Sequence, residues 1–117
     1  MKQKEFLKEL KDKPIIALIF GSYSNNTQNK ESDLDLLLIY NKVNIKYIEN
    51  IANEISIRTN VNIQAISINF QEFRKSFNNS SNDFIKNLKH SKIILTGIEW
   101  WIELEQEETK LERMVKR

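Results

Sequence analysis

Apolar residues occur along this chain in two kinds of run. Residues 15–20, Ile15-Ile16-Ala17-Leu18-Ile19-Phe20, form an unbroken apolar stretch of strand length. That is the pattern of a central strand buried on both faces. Residues 33–40 predict a second strand, with Leu34, Leu36 and Leu38 on one face and Asp33, Asp35, Leu37 and Ile39 on the other. Residues 61–68 alternate and are rich in branched side chains, which predicts a third strand. Residues 92–96 predict a short fourth, punctuated by Gly97. Between these runs the period changes. Phe6, Leu7 and Leu10 predict a helix over 2–11 that Pro14 stops. Val43, Tyr47, Ile48, Ile51, Ala52 and Ile55 predict another over 43–58. Two short helices are expected over 70–77 and 81–90, and a C-terminal helix over 98–117, with its acids early and its bases late as a helix dipole favours. Residues 22–31 are polar and aperiodic, and read as a short helix followed by a loop.

A chain of 117 residues predicts one domain spanning 1–117 around one core. A net charge of +2, from 18 bases against 16 acids, gives little support to a nucleic-acid partner. The absence of cysteine excludes disulfides, thiolate metal sites and a cysteine nucleophile, and fits the cytoplasm. No apolar run is long enough to span a bilayer, so no membrane partner is expected.

The chemistry concentrates in residues 21–35. A buried strand leads into Gly21-Ser22, where a residue without a side chain lets backbone turn sharply and approach a ligand. A helix beginning at Ser22 would turn its free N–H groups toward phosphate oxygens. Ten residues later comes Asp33-Leu34-Asp35. On a strand, positions i and i+2 share a face, so the two carboxylates project together and repel. A divalent cation relieves that repulsion, and Mg²⁺ favours a few carboxylates plus phosphate oxygens and water. Either feature alone is common in turns and strands; the joint pattern at this spacing is not.

Gly21-Ser22, the ten-residue gap and Asp33-Leu34-Asp35 resemble the signature of the minimal nucleotidyltransferases of the polymerase-β-like superfamily. Residues 70–73 and 90–99 extend the resemblance less specifically, toward a branch of small archaeal and bacterial proteins. The resemblance implies an α/β (α+β) fold with a small mixed β-sheet flanked by helices, the palm-like nucleotidyltransferase fold. It further implies Mg²⁺-dependent transfer of a nucleotidyl group from an NTP, most plausibly AMP from ATP, to a hydroxyl of a protein or small molecule. Asp33 and Asp35 would hold metal and carry catalysis, and Gly21 and Ser22 would hold phosphates. Many such proteins neutralise a HEPN-domain toxin by attaching AMP to it. A homo-oligomer is also compatible with the pattern.

Two departures separate the chain from that signature. Active members carry a third carboxylate on the next strand, whereas residues 61–68 contain neither Asp nor Glu. Gln64 aligns with the missing acid, with Asn62 on the same face; an amide ligates weakly and cannot take a proton at neutral pH. Asn25-Asn26 stands where relatives often have a base followed by Gly, leaving Lys30 to supply positive charge to the phosphates. The alternative is therefore a catalytically inactive nucleotidyltransferase-like module that masks a partner or senses nucleotide. Of the remaining residues, His90 reads as a capping or surface histidine. Lys86, Lys89 and Lys92 read as a solvated face, with an acceptor groove as the rival. One tryptophan of Trp100-Trp101 should be core and the other exposed, an interface anchor being one use for it.

Overall fold

The structure, a computed structural model, describes residues 2–21, 33–79 and 81–115. The two apolar runs become β1 (Ile16–Phe20) and β2 (Leu34–Tyr40), and the alternating segments become β3 (Ile63–Asn69) and β4 (Ile93–Thr96). They form one four-stranded sheet of order β3-β2-β1-β4, which puts the continuously apolar strands at its centre. β1 runs antiparallel to both β2 and β4, while β2 and β3 are parallel, so the sheet is mixed. The expected starts at Ile15 and Asp33 lie at the ends of the same ladders: Ile15 donates its N–H to the Ile39 carbonyl at 2.7 Å, and Leu34 donates to that of Asn62 at 2.8 Å.

Helices cover both faces. α1 (Lys2–Glu9) and α2 (Ile45–Thr59) lie over the face bearing Leu34, Leu36 and Leu38, where Phe6, Leu10, Ile48, Ala52 and Ile55 are buried. α3 (Phe70–Phe77), α4 (Asp83–His90) and α5 (Ile98–Val115) cover the other face, where Ile16, Leu18, Leu37 and Ile39 meet Phe73, Phe77, Ile85, Leu88, Trp101 and Leu104. The parallel β2–β3 pair needs a crossover, and α2 is the element between them. The starts of α2, α3 and α4 are each fixed by an asparagine. The side chains of Asn44, Asn69 and Asn82 accept from the backbone N–H of Tyr47, Glu72 and Ile85.

Trp101 is 2% exposed and packs among Phe73 and Phe77, with ring centroids 6.2 and 5.1 Å away, while Trp100 is 44% exposed against Phe70. That is the division expected of adjacent helical residues. The expected solvated lysine face holds for Lys86, which is exposed, and needs correction for Lys89 and Lys92. Lys89 is half-buried, paired with Glu108, bonded to the Phe77 carbonyl and set 4.3 Å from the Phe77 ring centroid. Lys92 lies 4.6 Å from the ring centroid of Trp101. These two stems cover aromatic surface and hold α4 to α5 instead of forming an open solvated face. No helix among the described residues is long and apolar enough to cross a membrane.

Candidate functional site

Both acids sit where β2 begins, and the sheet register determines what surrounds them. In the ladder, Asp35 stands opposite Phe20 of β1 on one side and opposite Gln64 of β3 on the other. Gly21 follows Phe20 directly, so the end of β1 arrives beside the Asp35 side chain. Gly21 has φ +72°, and a Cβ built there would lie 2.5 Å from Asp35 Oδ2. Two independent demands therefore select glycine at this position: left-handed backbone and the space occupied by a carboxylate. Ser22 and Lys30, together with the short helix and loop expected over 22–31, lie outside the described residues.

On the β3 side, an amide stands beside each acid. The Asn62 side-chain amide donates to Asp33 Oδ1 at 2.7 Å, and Gln64, exposed, is the register partner of Asp35. A glutamine thus occupies the neighbouring strand position where a third acid was sought. Asp33 and Asp35 share the sheet face of Leu37 and Ile39. Partial burial pushes the Asp35 carboxyl above its ordinary range, and the negative charge of Asp33 pushes it further. Among the described residues no Lys or Arg forms an ion pair with either acid, and no group of three or more His, Asp or Glu comes together. Two adjacent oxygen-donor carboxylates are a donor set that suits a hard divalent ion, with further oxygens to come from water and a phosphate ligand.

A cleft of about 430 Å³ opens beside Gly21, between the end of β1 and α4. His90 is exposed in the last turn of α4, as expected of a surface histidine, and it also lines this cleft. Phe84 and Asn87 also line the cleft and were not singled out by sequence. Their three-residue spacing on α4 was visible, but only the antiparallel β1–β4 pairing, which brings Ile93 opposite Ile19, carries α4 to the end of β1.

A mixed sheet with helices on both faces and an acid pair opening its central strand beside a glycine turn is the arrangement of the nucleotidyltransferase palm. The family described as "Polymerase beta, Nucleotidyltransferase" matches residues 2–97, and this chain belongs to it. A search of curated proteins finds no match. Among solved structures, the chain is similar to a component of a toxin–antitoxin complex with AMP-PNP, at 16% identity and TM-score 0.60, covering 99% of this chain and 97% of that one. It is also similar to a component of a doubly substituted MntA–HpeT toxin–antitoxin, at 14% identity and TM-score 0.58, covering 100% and 99%. A third is a chain of the complex of tri-AMPylated Shewanella oneidensis HEPN toxin with MNT antitoxin, at 14% identity and TM-score 0.51, covering 100% of each chain. At these identities the likeness is one of fold.

Proposed function

We propose that this chain binds Mg²⁺–ATP, or another NTP, at the junction of β1 and β2 and transfers AMP to a hydroxyl of a HEPN-type toxin, acting in the cytoplasm as its antitoxin. The observation that carries the reading is the packing of Gly21 against Asp35, which puts a backbone turn beside a carboxylate pair. Asp33 and Asp35 would hold Mg²⁺. Gly21 and Ser22 would take the β- and γ-phosphates, with Lys30 adding positive charge. When bound, the metal supplies charge neutralisation for the phosphate oxygens. The acceptor oxygen forms a bond to the α-phosphorus, the bond from that phosphorus to the bridging oxygen breaks, and pyrophosphate leaves. Gln64 cannot accept the hydroxyl proton, so the proton passes to solvent. The toxin–antitoxin context is supported by the nature of the similar complexes.

Gln64 beside Asp35 favours a second reading, in which the domain binds nucleotide or a toxin without chemistry. Incubation with α-labelled ATP, Mg²⁺ and a HEPN-type toxin separates the two. Transfer of label that disappears in Asp33→Asn plus Asp35→Asn supports the enzyme. Neutralisation without label, retained in that double variant, supports the binding module and rejects the enzyme.

A further inference from the structure

The described walls of the cleft beside Gly21 carry no carboxylate, Lys or Arg that would hold a metal or a phosphate. Among the described residues they are Phe20, Gly21, Phe84, Asn87, His90 and Ser91, with Leu88 beside them. We propose that this cleft receives the nucleobase of the bound nucleotide, with Phe84 as its stacking surface and the Asn87 amide selecting adenine. The inference rests on the nucleotide reading of the acid pair.

Its size is suitable: about 430 Å³ lies within the range of small-molecule sites, roughly 300–1,000 Å³. Phe84 is 38% exposed, so its ring has surface left for a ligand. Its near-perpendicular contact with Phe20, centroids 5.4 Å apart at 88°, fixes the ring without covering it. α4 is a firm platform, because Asn82 caps its start and Ile85 and Leu88 are buried beneath it. Phe84 and Asn87 are three residues apart and so neighbours on one helix surface. A carboxamide presents an N–H donor beside a carbonyl acceptor, which match the N7 acceptor and N6–H donor on the Hoogsteen edge of adenine. Guanine presents two acceptors on the corresponding edge and calls for two donors, which a Lys or Arg would bring. Gly21 joins the two regions: it is backed against Asp35 and it lines the cleft, so the cleft neighbours a ligand whose phosphates lie at the acids.

The test is calorimetric titration of the full chain with Mg²⁺ and, in turn, inorganic tripolyphosphate, ATP and GTP. The wild type is expected to bind ATP about tenfold more tightly than tripolyphosphate or GTP. Phe84→Leu loses that advantage for ATP while binding tripolyphosphate as before, Phe84→Trp keeps it, and Asn87→Ala brings ATP and GTP together. Unchanged ATP affinity in Phe84→Leu, or equal loss of ATP and tripolyphosphate, overturns the base site and leaves the acid site standing. Failure of wild type to bind either ATP or tripolyphosphate overturns both.

Discussion

Gly21 carries the sharpest residue-level consequence. Gly21→Ala meets a left-handed backbone and the Asp35 carboxylate at once, so it should destabilise the fold by about 1–3 kcal/mol and reduce Mg²⁺–ATP binding at least tenfold. Thermal unfolding and calorimetry would check the two effects separately. Asp35 behaves in the opposite sense. Its carboxyl is raised in the fold, so its contribution to stability is full below the unfolded carboxylate range and is lost as pH rises through the folded value. In chelator at neutral pH, Asp35→Asn should therefore melt a few degrees above wild type. Added Mg²⁺–ATP should reverse the order by stabilising only the wild type, and a melting curve in each condition decides it. At this scale the sequence was uneven in what it disclosed. The acids and Gly21 could be read because their spacing is unusual. Asn44, Asn69 and Asn82 could not be singled out as caps in a chain rich in asparagine, since a cap is defined by the helix it begins. Asn60, left-handed at φ 56° after α2, belongs to the same group.

Among the elements, packing distinguishes neighbours that sequence lists side by side. Trp101→Ala removes the ring at the centre of the α3–α5 contact and should cost about 3–5 kcal/mol. Trp100→Ala loses only an exposed ring and its edge contact with Phe70, about 1 kcal/mol. Denaturant midpoints of the two variants test the contrast. Tyr40, at the end of β2, is pushed up to about 12 by burial first and by Tyr47 and Asp12 next. Its hydroxyl donates to the Asp12 carbonyl at 2.8 Å, which ties β2 to the segment after α1. A raised value means this contribution is whole below the ordinary tyrosine range and is lost as pH climbs toward about 12. Stability measured across alkaline pH should fall more steeply in wild type than in Tyr40→Phe. The types of the described elements were legible because apolar periodicity marks them. Ends were less so: the first helix stops at Glu9, two residues before the expected limit, and the helix expected from 43 begins at Ile45, where Asn44 caps it.

For the whole molecule, strand order was beyond local pattern. Periodicity said that residues 15–20 form a central strand, but pairing across the sheet decides that β2 is central too, that Gln64 stands beside Asp35 and that α4 reaches Gly21. The resemblance to nucleotidyltransferases supplied the mixed sheet that composition could not. This arrangement also indicates how the missing acid should be restored. Gln64→Glu puts a carboxylate next to Asp35 in the ladder and should raise the rate of label transfer by on the order of tenfold to a hundredfold through proton acceptance. The most direct measurement of the central claim is titration of Mg²⁺–ATP into wild type and into Asp33→Asn plus Asp35→Asn. Saturable binding by the wild type, lost with the two charges, is the predicted result. Equal binding by both proteins, or by neither, would contradict a nucleotide and metal site at the start of β2.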